Sequence, residues 1–105
     1  MQGWYLKLYV QEQRRHAGIL AYEWILEEAK RLGLAGGSAF RAIAGFGRHR
    51  RLHEDRFFEL AGDLPVEVGF AVTADEGQRL LDRLAEEGLE AFYVKLPIEM
   101  GVVGR

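Results

Sequence analysis

From Trp4 to Val10 apolar and polar positions alternate, with Trp4, Leu6, Leu8 and Val10 on one side and Tyr5, Lys7 and Tyr9 on the other, which predicts a first strand. A polar stretch, Gln11 to Gly18, leads into Ile19 to Leu32. There Tyr22, Leu26, Ala29 and Gly33 trace one stripe and Glu27 stands four residues before Arg31, so the segment reads as a helix closing at Gly33. Next, Ser38, Phe40, Ala42, Ala44 and Phe46 alternate with Ala39, Arg41, Ile43 and Gly45, which predicts a second strand bracketed by glycines. A charged segment, Arg48 to Arg56, then Phe57 to Ala61 and the turn signal Gly62-Asp63, precede a third strand in which Val66, Val68, Phe70 and Val72 alternate with Glu67, Gly69 and Ala71. Thr73-Ala74-Asp75-Glu76 has the form of a capping box and opens a second helix. Its apolar side is Leu80, Leu81 and Leu84, Asp75 can pair with Arg79, and Gly88 is its stop. Leu89 to Pro97, with Phe92, Val94 and Leu96 opposite Tyr93 and Lys95, predicts a fourth strand.

The order β-α-β-β-α-β is that of the ferredoxin-like α+β sandwich, a four-stranded antiparallel sheet with two helices on one face. An open parallel sheet would need a crossover helix between strands two and three, and there is none. The second sheet face then carries Tyr5, Tyr9, Ile43, Ala71 and Tyr93 among Lys7, Arg41, Glu67 and Lys95, which is more apolar than a solvated face. Neighbouring subunits are the expected cover.

Length and composition narrow the rest. With 105 residues the chain is one domain, spanning 1–105, and 49% hydrophobic residues with 2 prolines mean that it folds. The absence of cysteine excludes disulfides, thiolate zinc sites and cysteine nucleophiles. A net charge of −2 opposes a nucleic-acid surface, and no apolar run approaches the roughly 20 residues that span a bilayer, so a cytoplasmic location without membrane insertion is expected. No Ser/His/Asp series with recognisable context appears, and the carboxylates are scattered on helix faces, so catalysis is not expected.

The run from Gly33 to Gly47, which contains Ala39-Phe40-Arg41-Ala42-Ile43-Ala44-Gly45-Phe46-Gly47 and is followed by Arg48 and His53, resembles the PII-like signalling proteins. Within them it is most similar to the bacterial family catalogued as domain of unknown function 190. Asp63-Leu64-Pro65-Val66-Glu67-Val68 and Val94-Lys95-Leu96-Pro97-Ile98-Glu99 extend the resemblance over roughly Trp4 to Glu99. The resemblance implies a homotrimer whose sheets face inward, with clefts between subunits for an adenine nucleotide or other anionic metabolite, and a regulated partner protein. Two departures stand out. Gly47 to Arg56 is short for the partner-binding loop and holds no Tyr, Ser or Thr, and the segment before strand four, where PII proteins carry a glycine- and lysine-bearing phosphate loop, reads Ala85-Glu86-Glu87-Gly88-Leu89-Glu90. Those glutamates repel phosphate.

The sharpest local signal is Arg48-His49-Arg50-Arg51 behind Gly45, Phe46 and Gly47. Glycine lets main-chain amides approach a ligand, and guanidinium groups bind phosphate or carboxylate through paired hydrogen bonds. Arg41, Gly45, Phe46, Gly47, Arg48, Arg50 and Arg51 are therefore the expected ligand-binding set. The plainer alternative is a solvated loop whose arginines pair with Glu54, Asp55 and Glu59. His49 and His53, four apart, offer a weaker metal alternative of the copper-tolerance type, against which the arginines would act. His16 reads as a plain loop residue. Trp24, off the helical stripe, either packs on a neighbour or marks a partner surface, and Gln11–Arg15 and Gly101–Arg105 are segments that could fold over the cleft.

Overall fold

The computed structural model describes residues 1–46 and 64–104. Strand β1 (Gln2–Gln11) is followed by a small hairpin, β2 (Arg15–His16) and β3 (Ile19–Leu20), and by α1 (Ala21–Arg31). Then come β4 (Ser38–Arg41), β5 (Pro65–Val72), α2 (Ala74–Glu86) and β6 (Phe92–Glu99). The main sheet has the order β4-β5-β1-β6 with every neighbouring pair antiparallel, the ferredoxin-like arrangement.

Alternation along β1 and β5 builds the core. Leu6, Leu8 and Val10 pair with Phe70, Val68 and Val66, and all six are buried beneath the helices with Ala21, Ile25, Ala29, Leu80 and Leu84. Backbone chemistry closes both helices in the same way. Gly33 has φ 89° and Gly88 has φ 69°, conformations that a residue without Cβ adopts freely. After each glycine a leucine amide reaches back five residues, Leu34 to the Ala29 carbonyl and Leu89 to that of Leu84, both at 3.0 Å, forming a Schellman motif whose leucine is buried. The start of α2 is the capping box read from the sequence: the Glu76 amide donates to Thr73 Oγ1 at 3.2 Å, and the Thr73 amide to Glu76 Oε1 at 2.9 Å.

Several boundaries differ from expectation. The hairpin β2–β3 replaces a polar lead-in. Its two turn residues, Ala17 at φ 52° and Gly18 at φ 87°, both occupy the left-handed region, as a tight hairpin demands. Alanine there is a poor turn signal in sequence. Helix α1 has no side-chain cap, and its first amide, on Ala21, is taken instead by the Arg14 carbonyl at 2.7 Å. The buried stripe runs through Ala21, Ile25, Glu28 and Ala29, with Tyr22 and Leu26 at its margin, because Ile25 and Leu26 are both apolar and only docking decides between them. Strand β4 stops at Arg41 rather than Phe46. Its partner begins at Pro65, which has no amide to extend the ladder. Strand β6 starts at Phe92 rather than Leu89, since Leu89 is held in the helix-closing motif.

The sheet faces are corrected more deeply. Directly paired residues point to the same side, so Tyr5, Lys7 and Tyr9 share the face away from the helices with Leu96, Val94 and Phe92, and Glu67 shares it with Phe40. Tyr93, Lys95 and Arg41, expected on this face, lie on the helix side. Ile43 lies beyond the end of β4 and is 97% exposed. On an edge strand both faces are partly open, so its own alternation does not tell inside from outside. Register against β1 and β5 decides. No described element packs on the outer face, where Phe40 is 58% and Leu96 44% exposed.

Candidate functional site

At the end of β4 the chain turns away from the sheet. The Ala42 amide donates to the Pro65 carbonyl at 2.9 Å, and the Glu12 amide to that of Leu64 at 2.9 Å, so the end of β1 and both roots of the β4–β5 connection meet here. A cleft of about 220 Å³ opens beside them on the helix side of the sheet, lined by Glu12, Tyr22, Ala39, Arg41 and Val66. Arg41 crosses it. Its Nε donates to Glu12 Oε2 at 2.8 Å and its Nη2 donates to the same oxygen. The Glu12 side chain is 13% exposed, whereas that of Arg41 is 63% exposed. Hydrogen bonding and charge from Glu12 raise the proton affinity of Arg41 above its ordinary value, with Tyr22 adding to the effect.

Three members of the expected ligand-binding set are described. Arg41 ends β4, and Gly45 and Phe46 follow in the segment beyond it. Gly45 faces Pro65, whose Cγ would lie 3.3 Å from an added Cβ, so a side chain at 45 would crowd the root of the connection. Gly47, Arg48, Arg50 and Arg51, and with them the metal alternative His49 and His53, lie outside the described residues.

The glutamates opposed to phosphate sit at the same end of the sheet but on its other edge. Within one chain β5 and β1 separate β4 from the turn before β6. Nor are the Glu86 and Glu87 carboxylates bare. Glu87 Oε1 is 2.9 Å from His16 Nε2, and its Oε2 is 2.9 Å from Arg83 Nη1. His16 first and Arg83 second hold the Glu87 carboxyl below the usual carboxylate range. Arg83 also reaches Glu86 at 3.6 Å and donates through Nε to Glu28 Oε1 at 2.7 Å.

This cluster corrects the reading of His16 and decides between the two readings of Trp24. His16 is not a plain loop residue: it stands in β2 with its ring edge against Trp24, centroids 4.7 Å apart. Trp24 packs on its own chain, below the Arg83 guanidinium at 5.7 Å. Glu28 in turn pairs with Arg31, in place of the expected Glu27 pair, because Glu28 lies on the buried side of α1 within reach of Arg83. The C-terminal segment leaves from the far end. Met100 and Met1 exchange backbone hydrogen bonds at the start of β1, roughly 26 Å along the strand from its Arg41 end. Of the residues at the cleft, Glu12 is foreshadowed in sequence only as part of the Gln11–Arg15 segment and Tyr22 only as part of the helical stripe, neither as a member of the ligand-binding set.

The family model DUF190, described as an uncharacterised ACR, matches residues 3–100. The chain belongs to the DUF190 family. Among relatives of this DUF190 chain, a UPF0166 protein of Aquifex aeolicus is 33% identical over 79 residues, covering 75% of each chain. A UPF0166 protein of Methanocaldococcus jannaschii is 32% identical over 81 residues, 77% of this chain and 74% of that one. The crystal structure of a candidate PII-like signalling protein from Thermus thermophilus superposes with a TM-score of 0.63 over 93% of this chain and 87% of that one, at 17% identity. The DUF190 chain thus shares that protein's fold.

Proposed function

We propose that this DUF190 chain is a single-domain, non-enzymatic regulatory protein of the PII-like kind. It is a cytoplasmic homotrimer that takes up a small anionic metabolite, with adenine nucleotides the first to test, in clefts between subunits and passes its state to a partner protein. The observation that carries this reading is the outer sheet face. Tyr5, Tyr9, Phe40, Phe92, Val94 and Leu96 share it, no described helix is layered on that side of the sheet, and Phe40 and Leu96 are open to solvent. Tyr9 and Phe92 pack with ring centroids 5.9 Å apart, while Lys7 and Glu67, 3.7 Å apart, are the charges set among them. An apolar face of this kind favours a second copy of itself over water.

Closure of such an assembly would also bring opposite edges of two sheets together. The arginine end of β4 in one subunit would then meet the glutamate-bearing turn of the next, a combination that favours small or singly engaged anions. Calorimetry with ATP, ADP and cyclic AMP tests the ligand. Binding is expected to be no tighter than micromolar for ATP and to weaken with salt. Arg48→Ala or Arg51→Ala should cost about 1.5 to 3 kcal/mol through a lost charged hydrogen bond. Tight nucleotide binding that survives both changes would overturn this assignment.

A further inference from the structure

We propose that Glu12 is a built-in counter-anion that occupies the binding position of Arg41, so that this cleft takes a small oxyanion, a carboxylate or a phosphate, by exchange with Glu12. The inference rests on the reading of the β4 end as an anion site and adds how that site is held when empty.

The asymmetry of the pair carries the argument. A guanidinium presents coplanar donors matched to a carboxylate, and here Nε and Nη2 both converge on one oxygen, Glu12 Oε2. The carboxylate is tucked against the cleft while the guanidinium is largely open to solvent, so an incoming anion can approach Arg41 without first unpacking the protein. Tyr22, Ala39 and Val66 complete the cleft, whose exposed lining is more polar than apolar, with room for a small group beside the guanidinium. Glu12 itself is anchored by its backbone to Leu64, so its side chain can swing away while its main chain stays in place. A ligand that must displace an internal competitor binds more weakly by the fraction of time the site is free.

The test uses the full chain and two probes, acetate and inorganic phosphate, titrated at constant ionic strength while the Arg41 side-chain Nε–H signal is followed by NMR. Glu12→Gln, which keeps shape and removes charge, should bind at least one probe about fivefold more tightly than the unmodified chain, the gain expected on removing a partly exposed ion pair. The double change Glu12→Gln with Arg41→Ala should lose the gain. In the unmodified chain the Glu12 carboxyl carbon signal should move together with that of Arg41 as the probe binds. A gain for acetate alone assigns a carboxylate ligand, and a gain for phosphate alone assigns a phosphate. Equal affinity with and without the Glu12 charge, a gain that persists in the double variant, or an Arg41 shift that leaves Glu12 unmoved would each overturn the proposal. Light scattering on the same samples separates the two readings. A monomer that still shows the fivefold gain removes the intersubunit cleft and keeps the exchange, whereas a nucleotide-binding trimer without the gain does the reverse.

Discussion

Glu28 is a buried carboxylate between two arginines, and its position makes a pH prediction. The hydrogen bond from Arg31 is the largest influence and lowers its proton affinity; burial opposes this and Arg83 reinforces it, leaving the group below the ordinary carboxylate range. A carboxylate whose proton affinity is lower in the folded than in the unfolded chain stabilises the fold above the unfolded value, and that stabilisation is lost as pH falls through the folded value. Glu28→Gln should therefore cost about 2 kcal/mol at neutral pH, the worth of a charged hydrogen bond. The difference from the unmodified chain should shrink on acidification below the ordinary carboxylate range. Urea denaturation at neutral and at acid pH measures it, and a difference that stayed constant with pH would mean that shape, not charge, is what Glu28 contributes. Gly37 shows a different residue-scale constraint: an added Cβ would lie 2.3 Å from Phe70 Cε1 in the core.

At the scale of elements, the closures of both helices and the start of α2 are the features most legible in sequence, because their chemistry is local. Thr73, Glu76, Gly33 and Gly88 each act within one turn of chain, and each appears in the structure in the role its type suggests. Thr73→Ala should cost about 1 kcal/mol. Faster amide exchange confined to the first turn of α2 would mark the loss as that of the cap, and unchanged exchange there would contradict it. Strand ends were read less well. The reach of β4 depends on Pro65, distant in sequence, and the start of β6 on the capture of Leu89 by the preceding helix. The hairpin β2–β3 has little signal in sequence because Ala17-Gly18 lacks the usual asparagine or aspartate of such a turn.

For the whole molecule the decisive quantity is the fate of the outer sheet face. If copies of the chain cover it as proposed, Leu96→Asp should convert the trimer to monomers, since a carboxylate would be buried there without a partner at a cost of several kcal/mol. Ile43→Asp should leave the trimer intact, because Ile43 lies beyond the end of β4 and off the paired sheet face. Light scattering of the two variants reads this directly. Dissociation by Ile43→Asp with Leu96→Asp inert would reverse the assignment of faces. Among the described residues no helix is long and apolar enough to cross a membrane, and no described helix is layered on the outer face of the sheet.

The sequence by itself determined the order of the main-sheet strands and the two helices, the central strands β1 and β5, and both helix closures. Each follows from alternation or from a cap confined to a few neighbouring residues. Family membership was legible for the same reason, being carried by a contiguous run through Gly45 and Phe46. Tertiary structure alone decided which way the edge strands face, since Phe92 and Phe40 owe their side to pairing with Tyr9 and Glu67 across the sheet. It also decided that Glu12 meets Arg41 and that His16 meets Glu87, contacts spanning 29 and 71 residues of chain. Charges that far apart have no periodic relation to reveal them; only the closing of the sheet and the docking of the helices bring them within hydrogen-bonding reach.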